Sequence, residues 1–225
     1  MFENLTIAPG IALIFDMDGV IVESMELHNQ AWDVYLSRAG IEAKDVMARM
    51  LGKRNDQIVK EVWGDGLSDE EVFRHGAEKE QLYRDMMAPV LEAHLVPGVC
   101  DFIRAAHARG IPVALATNAE APNVDFVLGG AGIQSLFQTT VDGGQVTHAK
   151  PHPEVFLTAA ARLGVAPVNC VVFEDSPGGM QAARSAGAHL AGLLTTLMAA
   201  PLADLALPNF QDPKLLPWLS TLQLR

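Results

Sequence analysis

The chain has 225 residues, 49% of them apolar and 19% charged, which supports a packed core and argues against general disorder. Lysine and arginine number 16 against 27 aspartates and glutamates; the net charge of −11 repels polyanions and makes nucleic acid an unsuitable partner. A phosphorylated small molecule would have to find positive charge locally, from a metal ion, a lysine or backbone amides.

The first residues, MFENLTIAPG, carry Glu3 and no basic run, so they do not read as a signal peptide. Residues 11–15 form an apolar run that predicts the first strand. The following region, 24–95, has almost no strand signal. Met25, His28, Trp32 and Leu36 recur at helical spacing, as do Ile58 and Val62, while Gly40, Gly52, Gly64 and Pro89 break the region into about four helices. From Pro97 onward, strands and helices alternate. Strands are predicted over 111–116, 168–173, 188–193 and 203–207, with a shorter one at 137–141; helices are predicted over 97–109, 122–128, 153–163 and 178–185. Residues 208–225, with Trp218 among leucines, predict a last helix. The most apolar stretch, 187–208, is broken by Pro201 and Asp204 and does not read as a membrane span. Cys100 and Cys170 form no CxxC pair and are expected to be buried, inert thiols. The predicted architecture is α/β: a Rossmann-like, doubly wound parallel sheet in residues 1–23 and 96–225, with an all-helical cap inserted at 24–95. The expected setting is cytoplasmic and away from membranes, as a monomer or weak dimer.

The chemistry concentrates at predicted strand ends, where ligands of open parallel sheets gather. Phe15-Asp16-Met17-Asp18-Gly19 closes the first strand with two carboxylates and a turn residue. Spacing i, i+2 on an extended backbone puts both carboxylates on one side, where both can reach one bound substrate. Uncompensated charge at a strand end is costly, so the pair calls for a cation or hydrogen-bond donors. Val172-Phe173-Glu174-Asp175 ends another apolar run; if the two strands are neighbours, Asp16 and Asp175 can share one hard cation such as Mg2+. The Asp18 carbonyl is a further candidate ligand and Glu174 a supporting one. Thr117 and Asn118 follow a third run and can bind a phosphate oxygen. Lys150, in Thr147-His148-Ala149-Lys150-Pro151, supplies a compact cation able to bridge a phosphate and Asp16. Singly, each element has a plain explanation, such as a helix cap or a surface lysine. Their joint order after successive strands does not.

The stretches IALIFDMDGVIVES, VALATN, AKPHPEVF and VVFEDSPGGMQAARSAG resemble the haloacid-dehalogenase-like phosphotransferases with a helical cap, near the beta-phosphoglucomutase and sugar-phosphatase group. The resemblance implies that Asp16 is the nucleophile and Asp18 the general acid–base. It implies that Thr117, Asn118 and Lys150 bind phosphate, and that Asp16, Asp18, Glu174 and Asp175 form the Mg2+ site. His28 falls where the mutases have a hinge histidine, and Lys79 where they have a cap lysine. Helix-face packing for His28 and a solvated surface for Lys79 are the plain alternatives. The mutase pattern also places a lysine just before a cap glycine and an arginine three residues after it. Here Leu51 precedes Gly52 and Asn55 stands three after, with Lys53 and Arg54 displaced between them. Glu120 replaces a lysine of that pattern. These departures favour a phosphatase for a small phosphorylated metabolite, a sugar phosphate above all, with phosphoryl transfer between sugar hydroxyls as the alternative.

Overall fold

The computed structural model describes residues 2–41 and 54–224. Two compact units emerge, one of Met1–Glu23 and Glu92–Arg225, the other of Ser24–Leu91.

The larger unit is built on six parallel strands: β1 (Ala12–Phe15), β2 (Val113–Ala116), β3 (Thr139–Val141), β4 (Cys170–Glu174), β5 (His189–Leu193) and β6 (Leu205–Leu207), in the spatial order β3-β2-β1-β4-β5-β6. The order reverses at β1, whose neighbours are β2 on one side and β4 on the other, so β1 lies at the switch point of a doubly wound sheet. Strands β1, β2, β4 and β5 are buried throughout, which is why they read as continuous apolar runs rather than alternating ones. Alternate residues serve the two faces. Ala12, Ile14, Ala114, Ala116, Cys170 and Val172 meet one helical layer, with Phe156 and Met180 among their partners. Phe15 and Phe173, stacked with ring centroids 4.7 Å apart, join Phe102 and Phe210 on the other face. At ~2 kcal/mol for each fully buried large side chain, this two-faced core is the main stabilising element of the unit.

Several predicted boundaries move for local reasons. The strand expected from 111 begins at Val113, after Pro112, whose carbonyl accepts from Leu13 N at 2.9 Å. The run from 168 starts with a 3-10 turn at Pro167–Asn169, and the strand follows at Cys170. The strands at 137–141 and 203–207 shorten to three residues each. Cys170 is buried, but Cys100 is only half-buried, contrary to the expectation for both thiols.

The helical unit contains α1 (Met25–Arg38), α2 (Asn55–Trp63) and α3 (Asp69–Met87); the single turn Leu91–His94 follows. The start of α3 is written in Ser68-Asp69-Glu70-Glu71: Ser68 Oγ accepts from Glu71 N at 3.3 Å, and Glu71 Oε2 accepts from Ser68 N at 2.8 Å. Trp32, Tyr35, Leu36, Ile58, Val59 and Val72 form the unit's own small core. No helix among the described residues is long and apolar enough to cross a membrane.

Candidate active site

Strand register brings the predicted residues of the larger unit together. Phe15 lies level with Leu115 on one side and Phe173 on the other, so Asp16 emerges between Ala116 and Glu174 at the carboxyl edge. Asp16 N donates to Phe173 O at 3.0 Å and Thr117 N to Val141 O at 2.9 Å, fixing both residues at their strand ends. Beyond Asp16 the chain does not stay extended. It turns at Met17, whose carbonyl accepts from the amides of Val20, Ile21 and Val22, and Gly19 takes φ of 76°. Asp18 therefore sits within a turn, not at the i+2 position of a strand. It is half-buried, and its charge acts on both Asp16 and Asp175.

Lys150 is the centre of the cluster. Its Nζ lies 2.9 Å from Asp16 Oδ1, 2.8 Å from Glu174 Oε1 and 3.1 Å from Ala116 O, with the side chain 5% exposed. The Asp16 contact is an ion pair whose angles fall outside hydrogen-bond geometry. Asn118 Oδ1 accepts from Lys150 N at 3.2 Å and so anchors the lysine's backbone. Thr117 Oγ1 accepts from Ala119 N at 3.1 Å, which leaves its hydroxyl hydrogen to donate elsewhere.

Glu174 is fully buried and held by its own turn. Besides Lys150, its carboxylate accepts from Asp175 N and Ser176 N, both at 2.8 Å, and from Ser176 Oγ at 3.0 Å. The following helix Pro177–Ser185 is capped by Ser176, whose Oγ accepts from Gly179 N at 3.0 Å. Asp175 accepts from Thr196 Oγ1, and Thr195 donates to Gly19 O. Sequence reasoning missed these two threonines. They lie two and three residues beyond the end of β5, and the strand-end rule that singled out Thr117 would have pointed to them too.

The electrostatics follow from burial. Desolvation raises Asp16 to about 7, with Glu174 and Asp18 pushing the same way and Lys150 opposing. Desolvation likewise holds Asp175 well above the usual carboxylate range, aided by Glu174 and Asp16, against the Thr196 hydrogen bond. Burial disfavours the Lys150 ammonium, yet Asp16 and Glu174 together outweigh it and hold it above the ordinary lysine range. Carboxylate oxygens of Asp16, Glu174 and Asp175 lie within 4.8 Å of one another. Three carboxylates thus gather where one ammonium pairs with two of them, and the oxygen-only donor set fits a hard divalent cation.

Within the helical unit, Lys79 is 2% exposed, not the solvated residue of the plain reading. Its Nζ lies 2.7 Å from His28 Nδ1 and 2.8 Å from Glu80 Oε1. Asn55 Nδ2 donates to the same Glu80 oxygen at 2.8 Å, and His28 stacks on Tyr83 at 3.7 Å. Arg54 is spent locally, Nε to Asp56 Oδ1 at 3.2 Å. Lys53, Leu51 and Gly52 lie outside the described residues.

A parallel sheet carrying a buried aspartate–lysine cluster at its switch point defines an enzyme that works on small anionic metabolites. Comparison with known proteins gives the family. The profile of the haloacid dehalogenase-like hydrolases matches residues 12–187. Protein CbbY of Rhodobacter capsulatus is 33% identical over 186 residues, spanning 78% of this chain and 82% of that one. Fructose-1-phosphate phosphatase YqaB of Escherichia coli is 34% identical over 176 residues, 78% of this chain and 92% of its own. The crystal structure of beta-phosphoglucomutase from Clostridium difficile superposes with a TM-score of 0.79 at 25% identity, covering 92% of this chain and 96% of that one. The chain belongs to the haloacid dehalogenase-like hydrolases. Its activity is that of a phosphatase or phosphomutase acting on small phosphorylated metabolites.

Proposed function

We propose that the protein is a magnesium-dependent phosphatase that hydrolyses a small sugar phosphate through a phosphorylated Asp16. The observation that carries this reading is the Lys150 ammonium 2.9 Å from Asp16, with Asp175 alongside, at the end of the switch-point strand. Asp16, the Asp18 carbonyl and Asp175 would hold the ion, with Glu174 in support; when bound, it neutralises developing charge on the phosphoryl oxygens and on the carboxylates.

The chain's own residues do the rest. Lys150 and the Thr117 hydroxyl receive phosphoryl oxygens, with Asn118 holding the lysine's backbone in place. The Asp16 carboxylate attacks phosphorus in line, and the P–O bond to the sugar breaks as Asp18 protonates the leaving oxygen. Asp18 then removes a proton from water, whose oxygen attacks the acyl phosphate; inorganic phosphate leaves and Asp16 is regenerated. An Asp16 with a pKa of about 7 is substantially protonated at neutral pH, so charge neutralisation at the cluster is needed to make it a competent nucleophile.

Supporting hydrolysis over phosphoryl migration, Asn55 stands where the mutase pattern has arginine and is tied to Glu80 at 2.8 Å. One observation favours the mutase reading: His28 and Lys79, both matching mutase positions, meet at 2.7 Å. A panel of hexose and pentose phosphates with and without Mg2+ separates the two. Phosphate release without isomerisation, abolished in Asp16→Asn, is the expected result. Turnover undiminished in that variant overturns the covalent route, and isomerisation without release favours the mutase.

A further inference from the structure

A second group of potential ligands lies in the segment that carries Lys150, outside the acidic cluster. His148 Nδ1 is 2.8 Å from Glu154 Oε2, and His152 Nδ1 is 3.8 Å from the same oxygen. The two imidazole rings face each other with centroids 4.6 Å apart and planes 37° apart. The three ligand atoms all lie within 4.8 Å of one another. We propose that His148, His152 and Glu154 form a second metal site, selective for a borderline divalent ion of the zinc type, bracketing Lys150.

Three features separate this group from scattered surface histidines. The first is distance. Tetrahedral zinc with bonds of about 2.0–2.2 Å sets neighbouring ligand atoms about 3.3–3.5 Å apart. The observed 2.8 and 3.8 Å lie on either side of that value, so small side-chain rotations seat the ion. The second is rigidity. Glu154 opens the helix Glu154–Leu163, and its carboxylate is pinned by Thr147 N at 2.8 Å and His148 N at 3.0 Å. The third is the state of the rings. Glu154 N donates to His152 Nδ1 at 3.3 Å, so that nitrogen is unprotonated; its one lone pair is held by this long amide hydrogen bond, which the metal displaces on binding. His148 Nδ1 carries the hydrogen directed at Glu154, because a carboxylate only accepts. On metal binding that hydrogen transfers through solvent to Nε2, and the Nδ1 lone pair becomes the ligand; no net charge is lost from the ring. The histidine side chains are 62% and 50% exposed, so the ion has an entry path and keeps water at the open position.

Ligand chemistry divides the two sites. Two imidazoles and a carboxylate favour zinc over magnesium, whereas the all-oxygen cluster at Asp16 and Asp175 suits magnesium. The test is a Zn2+ titration of the full chain by calorimetry, and of Co2+ by visible absorption, both in a large excess of Mg2+. The wild type is expected to bind one ion per chain that the Mg2+ does not displace. His148→Ala and His152→Ala are each expected to weaken it at least ~10-fold, and the double variant to abolish it together with the Co2+ bands. Both histidines are exposed, so these variants should melt like the wild type. Glu154→Gln is a supplementary variant only, since it also loosens two backbone amides. Zn2+ affinity and Co2+ bands that survive in the double variant overturn the proposal, as does a wild type that takes up no Zn2+ once Mg2+ is in excess.

Discussion

Replacing Lys150 with methionine tests the electrostatic account without relying on turnover. The side chain keeps most of its apolar volume, so cavity formation is minor. The ammonium is lost, leaving Asp16 and Glu174 without the cation 2.9 and 2.8 Å away. Removing one partner of a buried ion pair costs about 3–5 kcal/mol when the other stays charged. That is a large share of the roughly 5–15 kcal/mol that stabilises a domain of ordinary size. The deficit must also depend on pH. Lys150 stays charged from acid to mildly alkaline pH, so the dependence comes from the carboxylates. In the wild type Asp16 is raised to about 7, with Lys150 the main opposing influence; without the lysine it rises further. A raised carboxylate binds its proton more tightly folded than unfolded, so its contribution falls as pH climbs from the unfolded to the folded value. In the variant that fall continues to higher pH. The gap between the two proteins should therefore be smaller near about pH 6, where the lost Glu174 pairing is its main part, and widen by roughly 1–2 kcal/mol near about pH 8.5. Urea denaturation of both proteins in a chelator, at the two pH values, measures it. A deficit below ~1 kcal/mol at the higher pH, or one equal at both, would refute the reasoning.

In the wild type, chelated stability should fall between the ordinary aspartate value and about 7, with Asp16 contributing at most ~1.4 kcal/mol per pH unit, as the unfolded chain gives up the proton that folded Asp16 keeps. Mg2+ should flatten that slope, and an identical slope with and without it would count against a cation at this cluster. Thr196→Val removes a hydroxyl donor to Asp175 and should weaken the apparent Mg2+ affinity of turnover by ~10-fold or more while leaving the rate at saturating Mg2+ largely intact. An unchanged Mg2+ dependence would show that the threonine does not position the carboxylate. Gly179→Ala should destabilise the protein by ~2 kcal/mol or more in thermal melts, because the new Cβ would overlap the Glu174 carboxylate and its hydrogen bonds. A melt within a degree or so of the wild type would mean that Glu174 can move aside.

The doubly wound sheet was legible because its strands are short apolar runs and the burial of both faces is recorded in every residue. Asp16, Lys150, Glu174 and Asp175 were legible because charge at the end of such a run needs compensation. Their meeting depended on β4 lying beside β1, which a local reading could pose only as a condition; strand order supplies it. A turn was legible from Gly19, but its onset at Met17, before Asp18, was not. It depends on backbone amides converging on one carbonyl, and amides have no letter in the sequence. Lys79 was ambiguous for a related reason. Its burial rests on His28 and Glu80, and only Glu80 is its neighbour in sequence.

The glycines of the two acidic motifs carry a further piece of the logic. Gly19 permits a tight turn, and its φ of 76° agrees. The structure adds a second demand, since a Cβ there would overlap the Asp175 carboxylate. At Gly179 the dihedral angles are helical, so freedom of the backbone explains nothing; the space that a Cβ would need is filled by Glu174. Each acidic residue is thus seated against a bare backbone on a different segment, Asp175 on the first motif and Glu174 on the helix after its own strand. The close approach keeps each carboxylate within reach of its donors, Glu174 of the Asp175 and Ser176 amides and Asp175 of the Thr196 hydroxyl; a side chain at either glycine would push it off them. DxDG and EDSPGG therefore describe one packed object from two sides: the acids set the charge, and the glycines set how near the charges can come.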